Sequence, residues 1–228
     1  MEVIEVQRKK QLTEFIKFPE ELYRDDPLWV PPLWLDEKRA YQEKHNPVLR
    51  NSDYTLLMVR QGTRILGRCI PYVDRAFNEY YGSNTGLFGA FECVHDDRAA
   101  SLLIGAMEKW QRAHRVDAVR GPVNPIAEYW GFLLEGNGSP PVFMTPHTPR
   151  YYIDQFQTRG YQKAMDLLAY DGNSDGGYVI PPRTRRFLSI LLRKKPEISV
   201  RRIRRRDLIE DAEHIWRLTN ISLANNWG

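Results

Sequence analysis

Apolar residues between Gly86 and Gly121 follow two rhythms. GLFGAFECV, residues 86–94, is apolar almost without a break, as a strand buried on both faces should be. Behind Asp96, which can cap a helix, Ala100, Leu103, Met107, Trp110 and His114 recur at helical spacing. VDAVRG returns as a short strand and Gly121-Pro122 stops it. The pattern predicts strand, helix, strand, a parallel unit joined by a crossover, at the centre of the fold.

Weaker rhythms surround it. Val3, Ile4 and Val6 predict a first strand, and Leu12, Phe15, Ile16, Leu22 and Tyr23 a helix that Pro19 can break. Asp25 to Pro32 forces an extended path, and a second helix is predicted over 36–44. TLLMV and RILGRCIPYV, separated by Gln61-Gly62-Thr63, predict a hairpin whose second arm bulges or lies at an edge near Pro71. Residues 121–150 hold six prolines and four glycines and fit no regular element. Such loops often line pockets, although their aromatics can equally anchor the loop to a core. YYIDQFQTRG predicts a helix, 164–170 a strand, DGNSDGGYVIPP a linker and RTRRFLSILLRKK a basic amphipathic helix.

Composition changes this picture in three ways. With 42% hydrophobic residues, the 228-residue chain can build a sizeable core, which excludes wholesale disorder. Two cysteines without framework spacing suit a reducing cytosol, and the start MEVIEVQRKKQ lacks the apolar stretch of a signal peptide. The expected place is therefore the cytoplasm. Charge is the third: residues 183–206 carry eleven Lys/Arg and one acid, Glu197, in a chain whose net charge is only +4. That segment could meet phosphates, a membrane surface or an acidic neighbour, or be a solvated linker face. It has a single aromatic, Phe187, and no reading motif, which argues against nucleic acid. The five histidines show no metal spacing, and Cys93 reads as a small apolar filler.

Element order and wording together carry a family resemblance. LYRDDPLWVPPL, GRCIPYVDRAFNEYYG, GLFGAFECVHD, VRGPVNP, PPVFMTPHTPRYYIDQFQTRGYQKAMDLLAY and NNWG resemble, in order, the YghO-like family of GNAT-related proteins, also termed bacterial ceramide synthase-like. The resemblance implies an α+β, mixed α/β fold, a splayed sheet flanked by helices, and two such domains in tandem. It assigns 1–171 to a first GNAT-like domain, 172–197 to a linker with a basic helix, and 198–228 to the opening of a second domain. Val200 to Ile203, followed by basic residues, Leu208 and Trp227, echoes the start of the chain.

The resemblance also implies N-acyl transfer, from acyl-CoA to a small-molecule or lipid amine. GNAT enzymes hold the CoA pyrophosphate on glycine-rich backbone at the start of the helix after the fourth strand. Here that position reads VHDDRAASLL, with no glycine before Gly105. Asp96 and Asp97 place two carboxylates in the cradle, and Arg98 offsets one. This half is therefore expected to bind no cofactor, acyl-CoA being a co-substrate of the complete protein with its missing second domain. Glu92 sits where some GNAT enzymes carry a general base, and burial would raise its pKa towards that task. It could instead face solvent or pair with Arg68 or Arg120. Phe91, Asn124 and Tyr152 are the expected substrate-pocket residues, and no metal site is expected. Phe156 occupies the place where GNAT enzymes often put an acidic tyrosine. A non-catalytic GNAT-like module that completes a pocket or binds a partner is the alternative. Peripheral contact with the inner membrane through 183–206 stays open.

Overall fold

The computed structural model describes the chain except residues 126–129, 143–144, 171–176, 178, 198–200 and 225–228. It forms two compact units, Met1–Leu168 and Ala169–Gly228. The first contains β1 (Glu2–Glu5), α1 (Lys9–Leu22), α2 (Trp34–Ala40), α3 (Pro47–Arg50), β2 (Ser52–Tyr54), β3 (Leu57–Gln61) and β4 (Arg64–Asp74). It continues with α4 (Arg75–Tyr81), β5 (Thr85–Cys93), α5 (Asp97–Ala113), β6 (Ala118–Arg120) and α6 (Tyr151–Gln157). The second contains α7 (Pro182–Lys194), a 3-10 turn at Arg205–Asp207 and α8 (Leu208–Ser222).

The strands make one mixed sheet in the order β1-β3-β4-β5-β6, with β2 also paired to β4. The β5–β6 pair is parallel and the others are antiparallel. Side chains alternate across a strand, and the sheet uses both faces. Leu57 and Val59 of β3, with Phe88 and Phe91 of β5, join Leu103, Ile104 and Met107 of α5 and Phe156 of α6. Met58 between them, with Ile70 and Leu87, joins Phe15 and Ile16 of α1, Tyr41 and Leu49. Each fully buried aliphatic side chain here contributes about 1.5–3 kcal/mol. This is the mixed sheet flanked by helices that the sequence led one to expect.

Several local expectations need correction. The α5 stripe runs through Ala100, Leu103, Ile104 and Met107 to buried Gln111, whereas His114 is exposed and stacks on Trp110. Gln111 earns its burial by donating from Nε2 to the Leu87 carbonyl at 2.8 Å. The second helix stops at Ala40. Residues 164–170 are irregular and exposed, and no described strand pairs with them. Hydrophobic pattern alone does not make a strand without paired backbone. In the second unit 201–204 are likewise irregular, while 198–200 and Trp227 lie outside the described residues.

Both prolines are tolerated for identifiable reasons. Pro19 lies inside α1 without breaking it. Its missing N–H would leave the Phe15 carbonyl unpaired. Arg68 of β4 fills the gap, donating from one terminal nitrogen to the Phe15 oxygen at 2.7 Å and the Ile16 oxygen at 3.3 Å. Pro71 is in an interior strand, not at an edge, where β4 passes from its last β3 partner at Cys69 to its first β2 partner at Tyr72. The expected irregularity is nearby, in the register shift between Arg68 and Ile70 against β5.

Candidate functional site

That register shift positions the chemistry. Arg68 faces Glu92 and Ile70 faces Gly89, so β5 carries the extra residue of a bulge. Ala90 within it has φ +48°, in the left-handed region that costs a non-glycine residue of the order of 1 kcal/mol. Asn124 stabilises this turn, because its side-chain carbonyl accepts the Ala90 N–H. A Cβ on Gly89 would lie 2.5 Å from that same oxygen, so the contact needs glycine there. Regular β5–β6 pairing covers only Thr85–Leu87, and beyond it the Val123 N–H bonds to Phe88 O at 2.7 Å.

The bulge sets Glu92 opposite Arg68, with its carboxyl among tyrosines. Tyr23, just past α1, donates to Glu92 Oε2 at 2.6 Å, and Tyr152 of α6 donates to the same oxygen at 2.9 Å. Tyr152 in turn accepts the Cys93 N–H at 2.9 Å. Burial pushes the Glu92 pKa up, while the Arg68 charge and the two hydroxyls pull the other way. Both tyrosines are raised well above the ordinary phenol value, first by burial and then by the Glu92 charge.

A second pair adjoins the first. His147 Nε2 lies 2.8 Å from Asp26 Oδ2, and the other Asp26 oxygen accepts the Leu28 N–H at 2.9 Å. The bond to His147 is the main reason the Asp26 pKa falls below its ordinary value. Tyr23 joins the two pairs, stacking on Trp29 at 5.6 Å and meeting the His147 ring edge-on at 5.5 Å. Tyr23 and Asp26 also line an open depression of about 650 Å³. Its other walls are Trp29, the cations Lys17 and Arg24, and the carboxylates Glu20 and Glu21.

The four residues singled out from sequence are therefore near one another in β5, its crossing loop and α6, with different surroundings. Glu92 holds the hydrogen-bonded carboxyl and Tyr152 one of its donors. Phe91 is buried against Phe132, Tyr152 and Phe156. Asn124 is engaged with the bulge. Sequence reasoning missed Tyr23, Asp26 and His147, which lie up to 124 residues apart along the chain and follow no motif spacing. At the start of α5, Asp96 accepts the N–H groups of Arg98 and Ala99, both at 2.9 Å. Cys93 is fully buried and its thiol is pushed up to about 12.

No model of a protein family matches the chain. It is 30% identical over 221 residues to Protein YghO of Escherichia coli, a stretch covering 96% of this chain and 55% of that protein. It is 29% identical over 243 residues to Bacterial ceramide synthase of Caulobacter vibrioides, covering all of this chain and 59% of the relative. Over nearly its whole length the chain is thus similar to both relatives. It spans somewhat more than half the length of the two curated relatives. Among solved structures, a Trypanosoma brucei acetyltransferase is 13% identical with a TM-score of 0.43, covering 75% of this chain and 98% of that one. The chain's architecture rests on its own strand order. No helix among its described residues is long and apolar enough to cross a membrane.

Proposed function

We propose that this chain is the amine-receiving part of an N-acyltransferase, with acyl-CoA held on a second GNAT-like part of the complete protein. The observation that carries the reading is the half-buried Glu92 carboxyl, held by two tyrosine hydroxyls, one of which, Tyr23, lines a depression richer in carboxylates than in cations. An ammonium group is the chemistry that such a site attracts, through the carboxylates and the Tyr23–Trp29 faces. Glu92 is the charge that the amine meets. In the transfer, the amine nitrogen attacks the thioester carbonyl, a C–N bond forms, the C–S bond breaks and the thiol departs.

The cofactor side of the reading rests on α5. Asp96 already occupies two of the N–H groups that a pyrophosphate would need, and Asp97 adds a like charge. The name of the Caulobacter relative supports a long-chain amine as substrate. Exposed Phe187, Leu188, Ile215 and Trp216 in the second unit support burial against that second part. A peripheral lipid contact is favoured by one specific observation, namely that α7 carries exposed Phe187 and Leu188 among Arg183, Arg185 and Arg186.

Calorimetry on the 228-residue chain with dodecylamine and, separately, palmitoyl-CoA tests the division of labour. The expected result is binding of the amine, weakened at least tenfold in Glu92→Leu, and little or no binding of the thioester. Stoichiometric CoA binding lost on changing Arg98 would overturn it.

A further inference from the structure

The Glu92 cluster holds two acceptors beside the depression that Tyr23 and Asp26 line, and they are not equivalent. Glu92 Oε2 takes two hydroxyl hydrogens. Protonating this carboxyl would replace two charge-assisted hydrogen bonds by weaker neutral ones. His147 is in the opposite position. Asp26 can only accept, so the Nε2 nitrogen facing it carries the hydrogen and Nδ1 of the neutral ring keeps its lone pair. Nδ1 is buried and has no hydrogen-bond partner among the described residues. The side chain as a whole retains 12% of its surface. Buried polar nitrogens are nearly always paired, so an orphan beside a cation-attracting depression points to a missing donor. A proton gained at Nδ1 would also be matched at once by the Asp26 carboxylate, 2.8 Å from the other nitrogen.

We infer that His147, oriented by Asp26, is the proton acceptor of this site, and that its Nδ1 takes the hydrogen bond of a primary amine. The inference rests on the amine-receiving reading above and assigns the base within it to His147 instead of Glu92. In the step itself, His147 Nδ1 takes one proton from the bound ammonium, giving an imidazolium paired with Asp26 and freeing the nitrogen lone pair. The nitrogen then attacks the thioester carbonyl, the C–N bond forms, the C–S bond breaks with its electron pair on sulfur, and the second nitrogen proton leaves with that sulfur as the thiol. Glu92 remains ionised, holding the positive charge of the incoming substrate. Tyr23 keeps the two pairs in register through its bond to Glu92 and its ring contact with His147.

Two ligands of equal charge and chain length separate the roles. Dodecylamine has N–H groups to offer, whereas dodecyltrimethylammonium has none. The intact 228-residue chain should bind the primary amine at least roughly tenfold more tightly, the worth of one charge-assisted hydrogen bond. His147→Leu should erase that preference, so that the two ligands bind alike. Independently of any variant, nitrogen NMR of the histidine rings should show His147 with hydrogen on Nε2 and a bare Nδ1, shifted by the primary amine alone. Hydrogen on Nδ1 in the free chain, or a preference that survives His147→Leu, would overturn the inference and leave the amine-receiving reading standing. Failure of both ligands to bind would overturn both.

Discussion

The units Met1–Leu168 and Ala169–Gly228 treat apolar side chains in opposite ways. In the first, strands and helices enclose their hydrophobic residues on both faces of a sheet. In the second, Asp211 is the only buried residue among those described, while Phe187, Ile209, Trp216 and Ile221 are exposed. Both have helices with apolar stripes, α5 in one and α7 and α8 in the other. The difference is that α5 has a sheet to cover. A stripe without a complementary layer cannot offset the conformational entropy of ordering it.

The largest expected effect tests that contrast directly. Leu103 is completely buried under α5, and Leu103→Ala should cost about 2–5 kcal/mol in urea unfolding. Trp216 is 66% exposed, and Trp216→Ala should stay within about 0.5 kcal/mol despite removing a larger side chain. Comparable losses at both sites would mean that the second unit shares the first unit's core.

The contrast also explains which features were legible in the sequence. Residues 86–121 announced themselves because an unbroken apolar strand and a three-residue to four-residue helical repeat have few alternative readings. The β3–β4 hairpin was legible through Gly62, which adopts φ +61° at the turn. The strand expected at 164–170 shows the opposite case, since its pattern is strand-like yet no described strand pairs with it. Pro19 was misjudged because the group that compensates it, Arg68, lies 53 residues away from Phe15. The site divided in the same way. Glu92 stood out as a charge in an apolar strand, but nothing local marks Tyr23, Asp26 or His147 as its neighbours. Only tertiary packing brings Tyr23 and Asp26, at the end of α1, and His147 together with Glu92 of β5.

A second expected effect concerns polar groups inside the well-packed unit. Glu92→Leu leaves the hydroxyls of Tyr23 and Tyr152 without their acceptor and should destabilise by about 2–4 kcal/mol. Glu92→Gln keeps an acceptor and should cost far less. Because burial raises the folded-state pKa of Glu92, the native protein binds this proton more readily than the unfolded chain. Stability should therefore fall as pH rises from the ordinary carboxylate range through the folded value, and Glu92→Gln should flatten that slope. An unchanged slope in Glu92→Gln, measured by urea midpoints from pH 4 to pH 8, would remove Glu92 as its source.

The smallest effect is also the most discriminating, because each unit contains one carboxylate held below its ordinary pKa. Asp26 is held down chiefly by its bond to His147, and Asp211 by Arg201, one of whose nitrogens donates to it at 2.9 Å. A depressed carboxylate contributes stability that is fully present above its unfolded pKa and is lost as pH falls through the folded value. The sign is the same for both groups, but the unfolding transition that each feeds differs. Asp26 ties the end of α1 to the loop holding His147, so acidification should draw on the main cooperative transition of the first unit. Asp211 ties α8 to a neighbouring irregular stretch within a unit that has little other burial. The urea midpoint of the main transition should therefore drop less between pH 6 and pH 3 in Asp26→Asn than in the parent chain. In Asp211→Asn the drop should equal the parent's. A main transition equally sensitive to Asp211→Asn would show that the two units unfold as one.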